Sequence, residues 1–449
     1  MASCSVGFGR LDGGLTCDGV SVEAIRDKIG RDSPFFLYSQ SQLDANVLAY
    51  HSALDSLSMP GGAIIGYSIK ANNNLSVLRR LGSQGTGAVV VSGNELRTAR
   101  LCGIPSDKIV YNGNGKTKAE ITFAVSEGVL LSVDSQFDLA NITACAKASG
   151  AAARVMIRIN PDIDPKVHPY ISTGIMSSKF GIEKNLVDEY ISAIQAAGPD
   201  VVSLEGLHCH LGSTISDTKI FQDATDAMLR YVDHVEAAVG APLKVLDIGG
   251  GLGIDYYRGT KGDVSMPTPM DLIDSIRSKL QGRQFTFMLE PGRSLVANTG
   301  IFVAPVTGTK SNGAKHFVVV DGSMTEVIRP SLYDAYHHIE YTAAGVEPAA
   351  EAEEEKKVFD VVGPVCESAD FLGKDRLLAV PHTGQAVAVF DVGAYCYTMA
   401  SNYNMRVRPG EYMTSAGGSQ LCTIRKPEEF SDLIRMCIAA DEIDPINIA

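Results

Sequence analysis

From residue 63 to residue 290 the chain alternates between short β-branched runs and longer amphipathic stretches. The runs are 63–69 (AIIGYSI), 87–91 (GAVVV), 108–111 (KIVY), 130–133 (LLSV), 154–159 (RVMIRI), 204–210 (LEGLHCH), 244–248 (KVLDI) and 285–290 (FTFMLE). The intervening stretches 75–82, 94–102, 117–127, 136–149, 184–197, 217–239 and 269–281 carry helical apolar spacing. Strands that alternate with helices build a parallel sheet covered by those helices. Eight such units over about 230 residues predict a closed (β/α)8 barrel of the TIM type, with a doubly wound open sheet as the alternative.

The rhythm breaks after residue 296. Runs at 301–306, 316–320, 358–362, 377–380, 386–390 and 421–425 are separated by Gly, Pro, Asp and Asn rather than by long amphipathic stretches. The strand-like FFLYS at 35–39 precedes the barrel and is expected to pair with this later sheet. The expected fold class is therefore α/β plus all-β. A barrel domain spans 43–295, and a discontinuous β-rich domain is assembled from 1–42 and 296–449. The acidic stretch 347–357 (EPAAEAEEEKK) reads as a solvated loop.

Composition limits the partners. Lys and Arg number 39 against 52 Asp and Glu, a net charge of −13, so neither nucleic acid nor an anionic membrane surface is expected as a ligand. No run approaches the roughly 18 apolar residues of a membrane span, which suggests a soluble protein. Nine cysteines (Cys4, Cys17, Cys102, Cys145, Cys209, Cys366, Cys396, Cys422 and Cys437) form no CxxC pair. No disulfide framework or metal site is expected, and a reducing compartment fits. The first twenty residues carry Asp12 and Asp18 and no apolar core, so no secretory signal is expected; prior removal of an organelle transit peptide stays compatible with this.

In a (β/α)8 barrel, reacting groups sit at the C-terminal strand ends, and phosphates are often held after strands seven and eight. The unusual residues fall there. Lys70 ends the first strand; His208-Cys209-His210, then Gly212-Ser213, end the sixth; Gly249-Gly250-Gly251 follow the seventh; Glu290-Pro291-Gly292-Arg293 follow the eighth. The glycine run departs from GxGxxG and lacks the Lys-Ser/Thr of a P-loop, so alone it reads equally well as a tight turn. Beside Ser213 and EPGR it reads as a phosphate cradle. Lys70, directly after apolar YSI, is expected to be partly desolvated, which favours attachment to a carbonyl. An imidazole at His210 able to stack and a carboxylate at Glu290 able to hold a pyridinium N–H complete the parts that pyridoxal 5′-phosphate needs.

At these residues the chain resembles the alanine-racemase-like, fold-type III pyridoxal-phosphate enzymes, and within them the diaminopimelate decarboxylase family, from about residue 34 to 435. The motifs that carry the resemblance are YSIKANNN (67–74), VSGNEL (91–96), NGNGK (112–116), RINPDIDP (158–165), SKFGI (178–182), GLHCHLGS (206–213) and LDIGGGLGI (246–254). EPGR (290–293), DGSMTEVIRPSLYDAYH (321–337), VGPVCESADFLG (362–373) and GAYCYTMASNYN (393–404) continue it. The resemblance implies that Lys70 holds the cofactor, His210 stacks on its ring and Glu290 pairs with its nitrogen. It implies a phosphate site of Ser213, Gly249, Gly250, Gly251, Gly292 and Arg293 with Tyr395 nearby. Arg293, Arg329, Tyr333, Glu367 and Tyr395 match substrate contacts, and Cys366 matches the proton donor. In such enzymes Cys366 and Glu367 come from the opposite subunit, which implies a homodimer with shared sites. The implied reaction takes meso-diaminopimelate to L-lysine and CO2.

One position departs from the pattern. Many relatives have Asp where this chain has Val89 in Gly87-Ala88-Val89-Val90-Val91-Ser92. The form resembles the plant-type branch, which suggests the plastid stroma beside the cytoplasm as a location. The distal end of diaminopimelate carries an ammonium and a carboxylate, which suits Arg329 and Arg293 set against Glu367. Ornithine and arginine decarboxylases of the same fold face a cationic tail and usually show Cys-Asp where this chain has Cys366-Glu367. They are the alternative enzymes; a non-catalytic cofactor-binding homologue is the alternative of another kind, against which the intact Lys70, His210, Cys366 and Glu367 speak. An amino-acid racemase fits the fold alone.

Overall fold

The computed structural model describes residues 6–164, 178–260, 266–343 and 356–438. Most of the acidic stretch 347–357, together with Cys4 and Pro165, lies outside the described residues. The eight runs form eight strands: β1 (Ala63–Ser68), β2 (Gly87–Val90), β3 (Ile109–Tyr111), β4 (Leu130–Val133), β5 (Ala153–Arg158), β6 (Val202–His208), β7 (Val245–Asp247) and β8 (Thr286–Leu289). They pair in parallel in chain order, and β8 returns to β1 through Phe287↔Ala63, Met288↔Ile64 and Leu289↔Ile65. That last pairing closes the barrel and removes the open sheet as an alternative.

Eight long helices surround the strands, but not in simple alternation. Helix α1 (Gln40–Asp55) precedes β1, and α2 (Leu75–Ser83), α3 (Gly93–Leu101), α4 (Lys118–Glu127), α5 (Gln136–Ser149), α6 (Val187–Ala197), α7 (Thr218–Val239) and α8 (Pro269–Leu280) follow β1 to β7 in turn. After β8 comes only a short helix, Arg293–Val296. The eighth position is filled by α1: its Asp44 pairs with Arg80 of α2 at 2.6 Å, and Arg277 of α8 bonds Ser56 at its C-terminal end. Sequence reasoning placed no helix there, although Ser39 caps Gln42 at 3.0 Å and Leu43, Val47, Tyr50 and Leu54 form a buried stripe. Loops into the other helices mostly end on a capping side chain: Asn74, Ser92, Thr117, Ser135, Asp217 and Thr268 each accept a first-turn N–H. Each such cap stabilises by about 1 kcal/mol.

The barrel interior is layered. Val89, Val110, Leu130, Met156 and Met288 pack together, with Ile64 and Val245 against them. This is where Val89 goes: it replaces a carboxylate by one more apolar side chain in a dry layer. Nearer the C-terminal ends the interior turns polar, with Ser132, Arg158, His208, Asp247 and Glu290 all buried.

The β-rich part is a nine-stranded sheet around the long strand Gly300–Asn312. Lys315–Val320 and Ala386–Val389 pair antiparallel with that strand, while Phe35–Ser39 lies between it and Gly410–Thr414. The N-terminal strand thus joins the later sheet as its composition suggested. The run expected at 377–380 is the tail of a longer strand, Phe371–Leu378, and the short strands Ile339–Tyr341 and Gly410–Thr414 went unplaced. The chain divides into two compact units. One is Ser39–Gly300 with the segment up to Gly9 and with Phe390–Thr398; the other takes Arg10–Tyr38, Ile301–Val389 and the chain from Met399 on. Phe390–Thr398 joins the barrel because its backbone is bonded there: Val392 N–H to Gly300, Gly393 N–H to Ala297 and Tyr395 N–H to Ala71, at 3.0, 2.9 and 2.8 Å.

Candidate active site

Lys70 sits just beyond β1, in a one-turn helix Ile69–Ala71, and is exposed. The expected desolvation is therefore corrected: β1 stops at Ser68, so the amine is not packed among the strand ends. Its positive charge still reaches the groups around the mouth, acting with burial to lower the pKa of His210 and against burial to lower that of Glu290.

His210 follows β6. The Gly250 N–H donates to its Nδ1 at 3.1 Å, so that nitrogen is an acceptor. Desolvation, then the charge of Lys70, push the imidazole down to about 3. It is neutral at physiological pH, with its ring free of charge.

After β7 the chain makes its glycine turn. Gly249 and Gly251 have φ of +74° and +111°, open to glycine and costly for other residues. A Cβ at Gly250 would collide with the Glu290 carbonyl, and one at Gly251 with the Gly212 carbonyl. The turn lies flush against the loops after β6 and β8, which leaves a cradle that side chains would fill. Beside it Arg293 donates to Ser213 Oγ through Nε at 3.2 Å and through its terminal nitrogen at 3.0 Å, and its guanidinium lies 4.9 Å from the Tyr395 ring. Tyr395 has φ of +59°, an uncommon conformation for an aromatic residue that the bond to Ala71 holds in place. Gly292 completes the wall; a Cβ there would come within 3.1–3.2 Å of Ser68, Ala71 and Tyr395. A hydroxyl and a guanidinium beside a side-chain-free turn suit a phosphate.

Glu290 is 5% exposed. Asn112 Nδ2 donates to its Oε1 at 2.6 Å, and His208 Nε2 stands 3.6 Å from its Oε2. Burial alone would raise the Glu290 carboxyl, but His208, His210 and Lys70 outweigh burial and drive it well below the usual range. His208 and His210 are themselves pushed down by burial, so near neutral pH the positive charge facing Glu290 comes from Lys70 and Arg158. A buried, ionised carboxylate at a barrel mouth is suited to hold a protonated ring nitrogen.

Sequence reasoning passed over several members of this arrangement. Asn112 and Lys116 were quoted in NGNGK without a role. Lys116 Nζ donates to the Gly113 carbonyl at 2.7 Å, to the Ser132 carbonyl at 2.8 Å and to Asp138 at 2.6 Å, so all three ammonium protons are used in fixing the loop that delivers Asn112. His208 and Asp247 end strands with buried polar side chains, and Ser132 is the next-to-last residue of β4. Tyr256 bonds Arg293 at 2.5 Å. The available signal was a polar residue at or next to the end of an apolar strand, repeated on β4, β6 and β7.

The remaining expected residues lie in the β-rich unit. Arg329, 5% exposed, opens the short helix Arg329–Tyr333 and donates to His337 Nε2 at 2.8 Å. Tyr333 is half-buried at its end. Cys366 and Glu367 are exposed, on a loop held by Asp370, whose carboxylate accepts the Val365 and Met324 N–H groups, each at 2.7 Å. The Cys366 N–H is bonded to Asn404 Oδ1 at 2.9 Å. Asp370 therefore ties the Cys366-Glu367 loop to the segment leading into Arg329.

A parallel barrel with this mouth defines a class, the barrel-type pyridoxal-dependent decarboxylases. Residues 42–297 match the family model described as "Pyridoxal-dependent decarboxylase, pyridoxal binding domain". The chain is 50% identical over 424 residues to a "Probable diaminopimelate decarboxylase, chloroplastic" of Oryza sativa subsp. japonica, covering 94% of this chain and 83% of that protein. It is 39% identical to the diaminopimelate decarboxylase of Aquifex aeolicus, with 94% and 95% covered. The crystal structure of a diaminopimelate decarboxylase from M. jannaschii in co-complex with L-lysine matches with a TM-score of 0.87 at 36% identity, covering 98% of each chain. The chain belongs to the diaminopimelate decarboxylase family. Among the described residues no helix is long and apolar enough to cross a membrane.

Proposed function

We propose that this chain decarboxylates meso-2,6-diaminopimelate to L-lysine and CO2 with pyridoxal 5′-phosphate, the last step of lysine biosynthesis. One observation carries the reading: an amine, a neutral imidazole, a buried ionised carboxylate and a glycine cradle converge on one barrel mouth in a member of this family. The L-lysine bound by the M. jannaschii relative agrees with the product.

In this reading Lys70 holds the cofactor, and Ser213, Gly249, Gly250, Gly251, Gly292 and Arg293 cradle its phosphate with Tyr395 alongside. When bound, the cofactor supplies an electron sink for the bond lost as CO2. Glu290 keeps the ring nitrogen protonated, because its own carboxyl stays ionised. His210 stacks as a neutral ring and so adds no cation beside that nitrogen. Arg293 and Arg329, with Tyr333 and Tyr395, orient the substrate carboxylates, and Glu367 takes the distal ammonium. Cys366 Sγ delivers a proton to the carbon that has lost CO2.

The exposure of Cys366 and Glu367 suits groups offered to a second subunit, so the reading includes a homodimer in which the barrel binds the cofactor and the β-rich domain supplies residues across the interface. The identity shared with a chloroplastic protein supports the plastid stroma as its location. The test is direct. Purified protein is given meso-diaminopimelate, L-ornithine and L-arginine in turn, and CO2 and the amine product are measured. Lysine from meso-diaminopimelate at the highest kcat/KM is expected; preference for ornithine or arginine would overturn the substrate assignment.

A further inference from the structure

We propose that Asp247 is held as a neutral acid beneath the barrel mouth and is a positioning residue for Glu290, offering its O–H to that carboxylate while its other oxygen anchors the glycine turn. The role rests on the reading of Glu290 given above; the location of the proton does not.

Asp247 ends β7 and is completely buried. Its Oδ1 accepts the Gly249 N–H at 2.8 Å, and its Oδ2 is buried with no hydrogen-bond partner. A carboxylate oxygen of Asp247, one of Glu290 and a ring nitrogen of His208 all lie within 4.8 Å of one another. Two carboxyl groups so close in a dry interior do not both ionise. The donors decide which one does. Each carboxyl accepts one N–H, Glu290 from the Asn112 side chain at 2.6 Å and Asp247 from the Gly249 backbone at 2.8 Å, but His208 Nε2 stands 3.6 Å from Glu290 Oε2 while Asp247 Oδ2 has no partner, so the charge settles on Glu290 and the proton on Asp247.

The surroundings agree. Burial first, then the charge of Glu290, push the Asp247 carboxyl well above its ordinary range. Arg158 at the end of β5 acts on it as a cation, and that guanidinium is paired with Asp134 at 3.4 Å. His208, held through Nδ1 to Ser132 Oγ at 2.9 Å, is pushed towards neutrality, and burial raises the Cys209 thiol far out of range. A protonated Asp247 gives Glu290 a second donor without a second charge. It also ties the orientation of that carboxylate to the glycine turn.

The test uses the full chain, with and without pyridoxal phosphate, as wild type, Asp247→Asn and Asp247→Ala. Infrared difference spectra at neutral pH should show a carboxylic-acid C=O stretch in wild type that Asp247→Asn lacks. Asp247→Asn presents an N–H to Glu290 and an oxygen to Gly249, so it should recover most of the cofactor retention that Asp247→Ala loses. The Ala variant should bind cofactor at least about tenfold more weakly, since it leaves a buried N–H unpaired. No such band, a band untouched by Asp247→Asn, or an Asn variant as weak as Ala would overturn the proposal. So would a stoichiometric metal ion in the wild type that is lost in Asp247→Asn. The band is read without substrate, so a chain that leaves meso-diaminopimelate intact would sink the functional reading and leave this result standing.

Discussion

Lys70 and Arg329 occupy opposite environments, and each suits the role we propose for it. Lys70 is exposed and free to meet a carbonyl, while Arg329 is buried and oriented by His337. Borohydride reduction of the loaded protein should fix the cofactor on the peptide containing Lys70, as read by mass spectrometry, and Lys70→Ala should show no such adduct. An adduct on another lysine would refute the assignment. Arg329→Ala should raise KM for meso-diaminopimelate and lower kcat/KM, since stripping a desolvated carboxylate of its partner costs about 2–5 kcal/mol. Unchanged kcat/KM would remove Arg329 from the substrate site. Tyr395 belongs to the same scale. No property of a lone tyrosine announces that it stands in a left-handed conformation beside Lys70; the bond from its N–H to Ala71 reveals it.

Among the elements, α3 and α4 share one anchoring side chain. Glu120 of α4 accepts the Gly93 N–H at the start of α3 at 2.8 Å, and it closes the capping box with Thr117 through bonds of 3.0 and 2.7 Å. Burial would raise its carboxyl, but these bonds outweigh it and bring the pKa down to about 2. The folded value lies below the unfolded one, so the stabilisation is complete above the unfolded pKa of about 4.3 and fades as pH falls towards the folded value. Glu120→Gln should cost about 1 kcal/mol at neutral pH, as a lost cap does. The difference in Tm from wild type should shrink progressively below about pH 4.3. A deficit independent of pH would show that the charge of Glu120 plays no part.

For the whole molecule, the proposal that Lys70 of one subunit works with Cys366 of the other is testable. Lys70→Ala and Cys366→Ala should each be inactive alone. Co-expressed, they should form heterodimers in which one of the two sites has both native residues, with half the wild-type turnover per dimer. Isolated heterodimers without activity would count against sharing. The exposed Cys366-Glu367 loop is held by Asp370 and Asn404, so the proton donor we propose is presented on a fixed scaffold rather than on a free tip.

The strand and helix periods of residues 63–290 were enough to specify eight parallel β/α units, because a parallel strand buried on both faces must be apolar and its crossover helix must be amphipathic; the pairing of β8 with β1 decided that they close into a barrel. The same periods put Lys70, His210, the glycine turn, Glu290 and Arg293 at one mouth, since parallel strands end on the same side. Tertiary structure alone decided what those groups are. Asn112, His208 and Asp247 come together only when distant strands close into a ring, and the donor and positive charges gathered around Glu290 keep it charged against its burial. Helix α1 filled the eighth place because β8 is followed by a short turn, a vacancy visible only once the barrel exists. Segment Phe390–Thr398 joined the barrel through backbone hydrogen bonds, which hydropathy does not encode. Periodicity records which face of an element is buried, while charge and protonation depend on neighbours that only folding supplies.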